Sequence, residues 1–495
     1  MFKNFPGYKV LEKIQKNKSH KRERKLPLNA IKLIFIVAIT SIIALLPTES
    51  FNIEGLTVVH QRIIAIFVFA ALMWLTEAMP SWVTSMIVVT VMLFTVSTSS
   101  FNFLRPEDTA SLVPFKSIMA CFANPTIMLF IGGFVLAIGL TKVKLDVALA
   151  RVLLKPFGTR SEVVLLGFIL VTAIFSAFVS NTATAAMMLA FLTPVLRSLP
   201  ADGKGRIALA LAIPVGANLG GMITPIGTPP NMIALDYLSS QGLGISFVDW
   251  TIKMAPFVII LLVLAWLLLR ILFPFKQKHI KIEIEGDIKW NYHTWSVVIA
   301  FIVTIFMWMF GTDLWDIDTN VVAMLPIAIF CATGILTRRD LEEINWSVLW
   351  MVAGGFALGV ALNHGGEASL SRLIVTSVDF TQFSPLMVMI LAGLICFGFS
   401  NFISHSAATS LLVPVLGVVA GGLGTQLDSF GGPQAMLVGI AIASSVSMIL
   451  PISTPPNAIA HSTGFIEQKD MMKVGIIIGL LGLALGYAML IFIGF

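Results

Sequence analysis

The chain has 495 residues, of which 57% are hydrophobic and 12% are charged, and its formal net charge is +6. Soluble proteins carry about 25% charged residues, so this composition excludes a pair of large soluble domains and predicts an integral membrane protein. The positive charge is typical of basic cytoplasmic loops, and we expect no nucleic-acid partner.

A basic segment precedes the first long apolar run. Its Lys and Arg residues cluster between residues 16 and 25, and we predict a cytoplasmic N-terminal tail at 1–30. The following run is predicted to be the first transmembrane helix with its loop, at 31–59. Pro47-Thr48-Glu49 follows the run in place of a small-residue cleavage site, so we interpret the run as a membrane span and not as a signal peptide.

The charges of the connecting segments alternate along the chain. The connection at 142–160 and the linker at 276–292 are basic, whereas 236–249 contains no Lys or Arg. Because basic loops stay in the cytoplasm, we predict about eleven crossings, with the N-terminus cytoplasmic and the C-terminus extracellular. The mixed connection at 364–385 does not follow this alternation.

Three motifs of the first half recur in the second half in the same order. The repeated pairs are Gly132-Gly133-Phe134 with Gly354-Gly355-Phe356, Ser180–Thr184 with Ser404–Thr409, and Met222–Asn231 with Met448–Asn457. We therefore predict two repeats, 60–275 and 293–495, joined by the cytoplasmic linker. The charge pattern makes the two Gly-Gly-Phe spans antiparallel. Inverted repeats with a substrate site near the midplane are typical of secondary transporters.

Each repeat has a polar tip between two apolar arms. Ser180-Asn181-Thr182 interrupts 163–196, and Ser404-His405-Ser406 interrupts 386–415. Ser, Thr and Asn cap helix N-termini, so each segment is predicted to be a re-entrant helical hairpin.

Each repeat also has a Thr-Pro-Pro sequence that predicts a broken helix, at 227–231 and at 453–457. Thr suits the N-cap and Pro suits the first helical position. The four helix N-termini at tips and breaks would attract an anion, since each carries roughly half a positive charge. The alternative is that the prolines form plain kinks and the hydroxyls bond only to backbone. The candidate substrate-binding residues are Ser180, Asn181, Thr182, Thr228, Pro229, Ser404, His405, Ser406, Thr454 and Pro455.

With Thr76-Glu77-Ala78-Met79-Pro80, these motifs resemble the divalent anion/sodium symporter (INDY-like) family over nearly the whole chain. The resemblance implies eleven transmembrane helices with two re-entrant hairpins, a homodimer, and an elevator mechanism with scaffold and transport domains. It implies di- or tricarboxylate substrates that contact Asn181, Thr182, Thr228 and Pro229.

The resemblance also implies coupling sodium ions. One would lie at Ser176, Ser180, Asn181 and Gly227, and a second at Ser400, His405 and Ser453. The imidazole of His405 offers no oxygen to Na⁺, which argues against the second site. The exchanger branch of the family looks similar in placing His there, and we assign His405 a substrate role.

We therefore predict a transporter of dicarboxylates of the succinate, malate, fumarate and 2-oxoglutarate type in the cell membrane. The predicted mode is sodium-independent exchange. The alternatives are a Na⁺-coupled di/tricarboxylate symporter and an inorganic anion transporter of related architecture. The sequence contains no HExxH, GxSxG or CxxC motif, so we predict no enzymatic activity and no cofactor beyond Na⁺ as a coupling ion.

Overall fold

The computed structural model describes residues 26–107, 109–200, 203–280, 289–377 and 382–494. Every regular element in these ranges is a helix, and eight helices are long and apolar enough to cross a membrane. Five further apolar helices have 10–17 residues. The predicted all-α integral membrane fold is confirmed, whereas the count of eleven crossings stays a prediction. Parts of three predicted segments lie outside the described residues: 1–25 of the tail, 281–288 of the linker and 378–381 of the mixed connection.

The first half of the chain contains eleven α-helices within the described ranges. They are α1 Leu26–Leu45, α2 Val58–Thr76, α3 Ser81–Thr95, α4 Phe115–Ala120, α5 Pro125–Lys142, α6 Leu145–Leu154, α7 Ser161–Phe178, α8 Asn181–Ser198, α9 Lys204–Gly220, α10 Pro229–Ser240 and α11 Phe247–Leu272. Short 3-10 turns join several of them.

The second half, over its described residues, also contains eleven. They are α12 Tyr292–Trp315, α13 Thr319–Val322, α14 Met324–Ala332, α15 Arg338–Glu342, α16 Trp346–Asn363, α17 Leu370–Ser377, α18 Pro385–Ser400, α19 His405–Leu423, α20 Gly432–Ser445, α21 Pro455–Ser462 and α22 Gln468–Phe492. The series from α5 to α11 and from α16 to α22 follow the same order of long, short and broken helices.

The helices that precede the two breaks form the centre of the molecule. In α9 every residue from Ala208 to Gly220 is buried, and in α20 every residue from Ala435 to Ser445 is buried. α9 packs tightly along α7. The two helices approach so closely at Gly220 that a Cβ atom there would lie 2.4 Å from the backbone of Ala173. By contrast, only 28% of the most apolar stretch of α12 is buried inside the protein, so most of this stretch lies on the surface of the chain.

The two halves interlock through the helices that follow the breaks. α10, from the first half, packs against α19 and α20 of the second half. In the same way α21, from the second half, packs against α8 and α9 of the first half. This exchange brings the hairpins and the breaks of both halves into one central region.

Both breaks begin earlier than the sequence motifs predicted. The first lies between Gly220 and Pro229 rather than at 227–231, and the second lies between Ser445 and Pro455 rather than at 453–457. The correction has a simple cause: Pro229 and Pro455 are already the first residues of α10 and α21. Proline is tolerated there because the N–H it lacks would have no helical partner.

Candidate functional site

The first hairpin turns at Ser180. α7 ends at Phe178, Val179 is extended, and the Ser180 hydroxyl accepts a hydrogen bond from the Ala183 N–H at 3.3 Å. Asn181 and Thr182 form the first turn of α8. Since the Ser180 hydroxyl is used as a cap, Asn181 and Thr182 are the remaining polar residues at the tip.

The second hairpin turns at Ser404, whose hydroxyl accepts from the Ala407 N–H at 3.2 Å. His405 is the first residue of α19, and its Nε2 lies 2.6 Å from the carbonyl oxygen of Ser447. A carbonyl oxygen only accepts, so Nε2 carries a proton and donates it to Ser447. Ser447 lies in the second break. The imidazole therefore links the tip of the second hairpin to the second break.

The first break is closed by Asn231. Its Nδ2 donates to the carbonyl oxygens of Gly221 at 3.0 Å and Thr224 at 2.8 Å. Asn457 does the same in the second break, where its Nδ2 donates to Met448 at 2.8 Å and Leu450 at 3.1 Å. These equivalent amides hold both loops in a compact form.

Both helices that follow the breaks offer fewer backbone donors than an ordinary helix N-terminus. Their first two residues are prolines, Pro229-Pro230 and Pro455-Pro456, which have no N–H. The next N–H group is also used within the protein. The Asn231 N–H donates to the carbonyl oxygen of Thr228, and the Asn457 N–H donates to Thr454 Oγ1. An anion at these N-termini therefore depends more on the threonine hydroxyls than on helix N–H groups.

The tips and breaks form a connected set. A side chain at Gly221 would meet the Asn181 Oδ1 at 2.5 Å, so the first break lies directly against the first tip. His405 joins the second tip to the second break, and Asn218 Nδ2 joins the halves by donating to Thr454 Oγ1 at 3.2 Å. Within the described part of the chain no hydrogen bond joins Asn181 or Thr182 directly to His405 or Ser406.

Two residues of the first predicted sodium site, Ser176 and Asn181, bring oxygens together with the Ala217 carbonyl. Ser176 Oγ lies 2.7 Å from Asn181 Oδ1 and 2.7 Å from the carbonyl oxygen of Ala217. A hydroxyl has one proton and cannot donate to both acceptors, so oxygen lone pairs are in excess here. Oxygen ligands are those that hard cations take. Gly227 packs against the Gly221 carbonyl, and Ser180 serves as the helix cap.

The residues of the second predicted sodium site do not fit. His405 donates to Ser447, Ser453 Oγ donates to the Leu450 carbonyl at 2.7 Å, and Ser400 Oγ lies 3.8 Å from Cys396 Sγ. Among the described residues, no hydrogen bond links these three side chains to one another. This arrangement supplies no converging set of side-chain oxygens.

Five residues of this region were not predicted as site residues from the sequence: Asn218, Gly221, Asn231, Ser447 and Asn457. Asn231 and Asn457 end the repeated ten-residue motif and could have been noticed there. The predicted location of Asp236, in the connection at 236–249, is wrong. It lies in α10, where its carboxylate accepts from Thr126 Oγ1 at 2.8 Å.

Known proteins resemble this chain in sequence and in fold. The family profile of the sodium:sulfate symporter transmembrane region matches residues 28–494. A transporter of uncharacterized function from Haemophilus influenzae is 32% identical over 438 residues, which are 84% of this chain and 88% of the relative. The sodium-dependent dicarboxylate transporter SdcS of Staphylococcus aureus (strain USA300) is 28% identical over 497 residues, covering 93% and 91% of the two chains.

The crystal structure of the YdaH transporter of Alcanivorax borkumensis superposes with a TM-score of 0.55 at 13% identity. It covers 88% of this chain and 99% of that protein, which shows a shared fold. The all-helical fold, the repeated breaks and the match over nearly all residues lead to one conclusion. The chain is a multi-pass membrane transporter and belongs to the sodium:sulfate symporter family, the divalent anion/sodium symporters.

Proposed function

We propose that the protein carries small dicarboxylates of the succinate, malate, fumarate and 2-oxoglutarate type across the cell membrane. The observation that supports this most is the connected set of two hairpin tips and two Thr-Pro-Pro breaks. It offers neutral hydroxyl and amide groups at the centre of the fold. Two relatives, from Staphylococcus aureus and Staphylococcus saprophyticus, carry the name of sodium-dependent dicarboxylate transporter.

The proposed mode is sodium-independent exchange. A dianion in the middle of a membrane needs compensating positive charge, because an unpaired charge there costs several kcal/mol. In the second half His405 stands where a sodium ligand would stand, and imidazole adds a full charge when it is protonated. A carrier that keeps this proton after releasing its dianion would hold an uncompensated charge. It would return slowly unless another dicarboxylate binds.

Sodium-coupled symport is the second candidate function. The three oxygens of Ser176, Asn181 and Ala217 favour it, because they converge without enough protons to satisfy them. An inorganic anion such as sulfate is a third substrate class, which the family name itself suggests.

The elevator mechanism is part of the proposal. The interlocked helices α7–α11 and α18–α22 would move together and carry the bound dianion. The helices α2–α5 and α12–α16 would stay fixed in a homodimer. Ser85 Oγ of α3 donates to the Met351 carbonyl of α16 at 3.2 Å, a buried contact within the proposed scaffold. The orientation of the termini stays a prediction.

The substrate class is tested by uptake of radiolabelled succinate into proteoliposomes that contain the purified protein. We expect unlabelled malate, fumarate or 2-oxoglutarate to suppress this uptake strongly and equimolar sulfate to leave it nearly unchanged. Protein-free liposomes are the control. Uptake of labelled sulfate without uptake of succinate would replace the dicarboxylate proposal by the inorganic one.

A further inference from the structure

Two threonines hold equivalent places at the two breaks, but their hydroxyls have different partners. Thr454 caps α21, and its Oγ1 accepts from the Asn457 N–H and from Asn218 Nδ2, each at 3.2 Å. Thr228 caps α10 without any side-chain cap bond. The internal symmetry of the protein is broken at this pair.

Asn218 lies near the end of α9 in the first half, so its bond to Thr454 crosses between the repeats. The side chain is 2% exposed, and its Nδ2 also donates to Asn457 Oδ1 at 3.1 Å. Asn457 Nδ2 faces two carbonyl oxygens. Turning either amide would set oxygen against oxygen, so the network itself fixes the direction of each hydrogen bond.

The second half lacks the corresponding amide. At the offset of the repeated Met222–Asn231 motif, Ser444 takes the place of Asn218, and its hydroxyl donates to the His405 carbonyl at 3.0 Å. Asn231, the equivalent of Asn457, keeps a buried Oδ1 without a partner in the described ranges. The absence of the amide explains this orphaned oxygen. The Thr228 hydroxyl also lacks the second bond of its counterpart, because the Asn231 N–H donates to the Thr228 carbonyl oxygen.

The consequence for Thr454 follows from the chemistry of a hydroxyl group. A hydroxyl accepts two hydrogen bonds and donates one. Both acceptor positions of Thr454 Oγ1 are occupied, so its proton can only be donated to a third group. Because Pro455 and Pro456 have no N–H, this proton is the hydrogen-bond donor that the entrance of α21 offers to an anion.

We infer that Asn218 is a positioning residue for anion binding, which acts by fixing the Thr454 hydroxyl as a donor to the substrate. The inference rests on the proposed location of the substrate site but not on the identity of the anion. Removing Asn218 would let the Thr454 hydroxyl rotate, whereas removing the hydroxyl would leave Asn218 with nothing to position.

The test is a double-mutant cycle on anion affinity, read as the thermal stabilisation of the purified transporter by succinate, citrate or sulfate. Thr454→Val should weaken binding roughly 10- to 150-fold, the range for losing a hydrogen bond to a charged group. Asn218→Ala should weaken it roughly 10-fold, and the double variant should bind no more weakly than Thr454→Val alone. The matched cycle of Asn218→Ala with Thr228→Val should instead give effects that multiply.

A purely structural role would shift the midpoint of the anion-free protein without producing this specific coupling. Asn218→Asp has the same size but its carboxylate accepts the Thr454 proton, so it should weaken binding at least as much as Asn218→Ala. If Asn218→Ala does not fold, Asn218→Ser, which copies the second half, takes its place in the cycle.

If the losses of anion affinity caused by Asn218→Ala and by Thr454→Val multiply in the double variant, the inference is overturned. If the wild type binds sulfate but neither carboxylate, the dicarboxylate function fails and the cycle is measured with sulfate. If none of the three anions stabilises the wild type, the donor role of Thr454 is itself contradicted.

Discussion

Replacing Asn181 by alanine is expected to lower the apparent affinity for dicarboxylate by roughly 10- to 150-fold, the effect of losing a hydrogen bond to a charged group. The side chain stands at the first hairpin tip and against Gly221 of the first break. Its Oδ1 is also one of the two oxygens that lie 2.7 Å from Ser176 Oγ. Thr182→Ala, which alters the neighbouring position of the tip, should have an effect in the same range. Initial rates of succinate uptake over a range of concentrations measure both.

The matched control is Thr193→Val in the same helix. The Thr193 hydroxyl donates its single proton to the carbonyl of Leu189 in the same helix at 2.6 Å, so its loss should leave transport close to wild type. All three variants should insert in the membrane at normal levels. Unchanged affinity and rate in both Asn181→Ala and Thr182→Ala would show that the substrate does not bind at the hairpin tip.

His405→Ala is expected to reduce transport by a similar roughly 10- to 150-fold. The imidazole donates to the Ser447 carbonyl. Its removal would release the second tip from its break and take away a group that can become positively charged. His405→Asn restores the amide that the first half carries at Asn181. We expect this variant to recover part of the activity and to require Na⁺, because an amide oxygen is a sodium ligand and imidazole is not.

His461→Asn is the control for His405→Asn, since His461 lies on the exposed last turn of α21 and should tolerate the change. The readout is uptake in sodium-containing and in choline-containing buffer. Wild-type transport by His405→Ala in both buffers would remove the histidine from the mechanism.

Much of the fold could be predicted because its signals are local. Runs of apolar residues predict helices in a membrane, and the structure confirms an all-helical membrane protein. Ser180 and Ser404 are the helix caps that their positions between apolar arms suggested. The prolines at 229 and 455 start helices, as the preference of proline for the first helical position implies.

The residues that connect the site could not be predicted in the same way. Asn218 bonds to Thr454 across more than two hundred residues of sequence, and no local pattern in either segment indicates the partner of the other. The start of each break was also missed, because the Thr-Pro-Pro signal marks where a helix resumes and not where the preceding helix ends. Asp236 was assigned to a loop because the charge alternation considers the sign of a segment and not the burial of each residue.

Exchange transport is tested most directly by uptake of labelled succinate into proteoliposomes that are either empty or preloaded with malate or 2-oxoglutarate, with and without Na⁺. Exchange through a site compensated by His405 predicts rapid uptake into preloaded vesicles in both buffers and slow uptake into empty ones. Rapid uptake into empty vesicles that requires an inward Na⁺ gradient would contradict exchange and establish sodium-coupled symport.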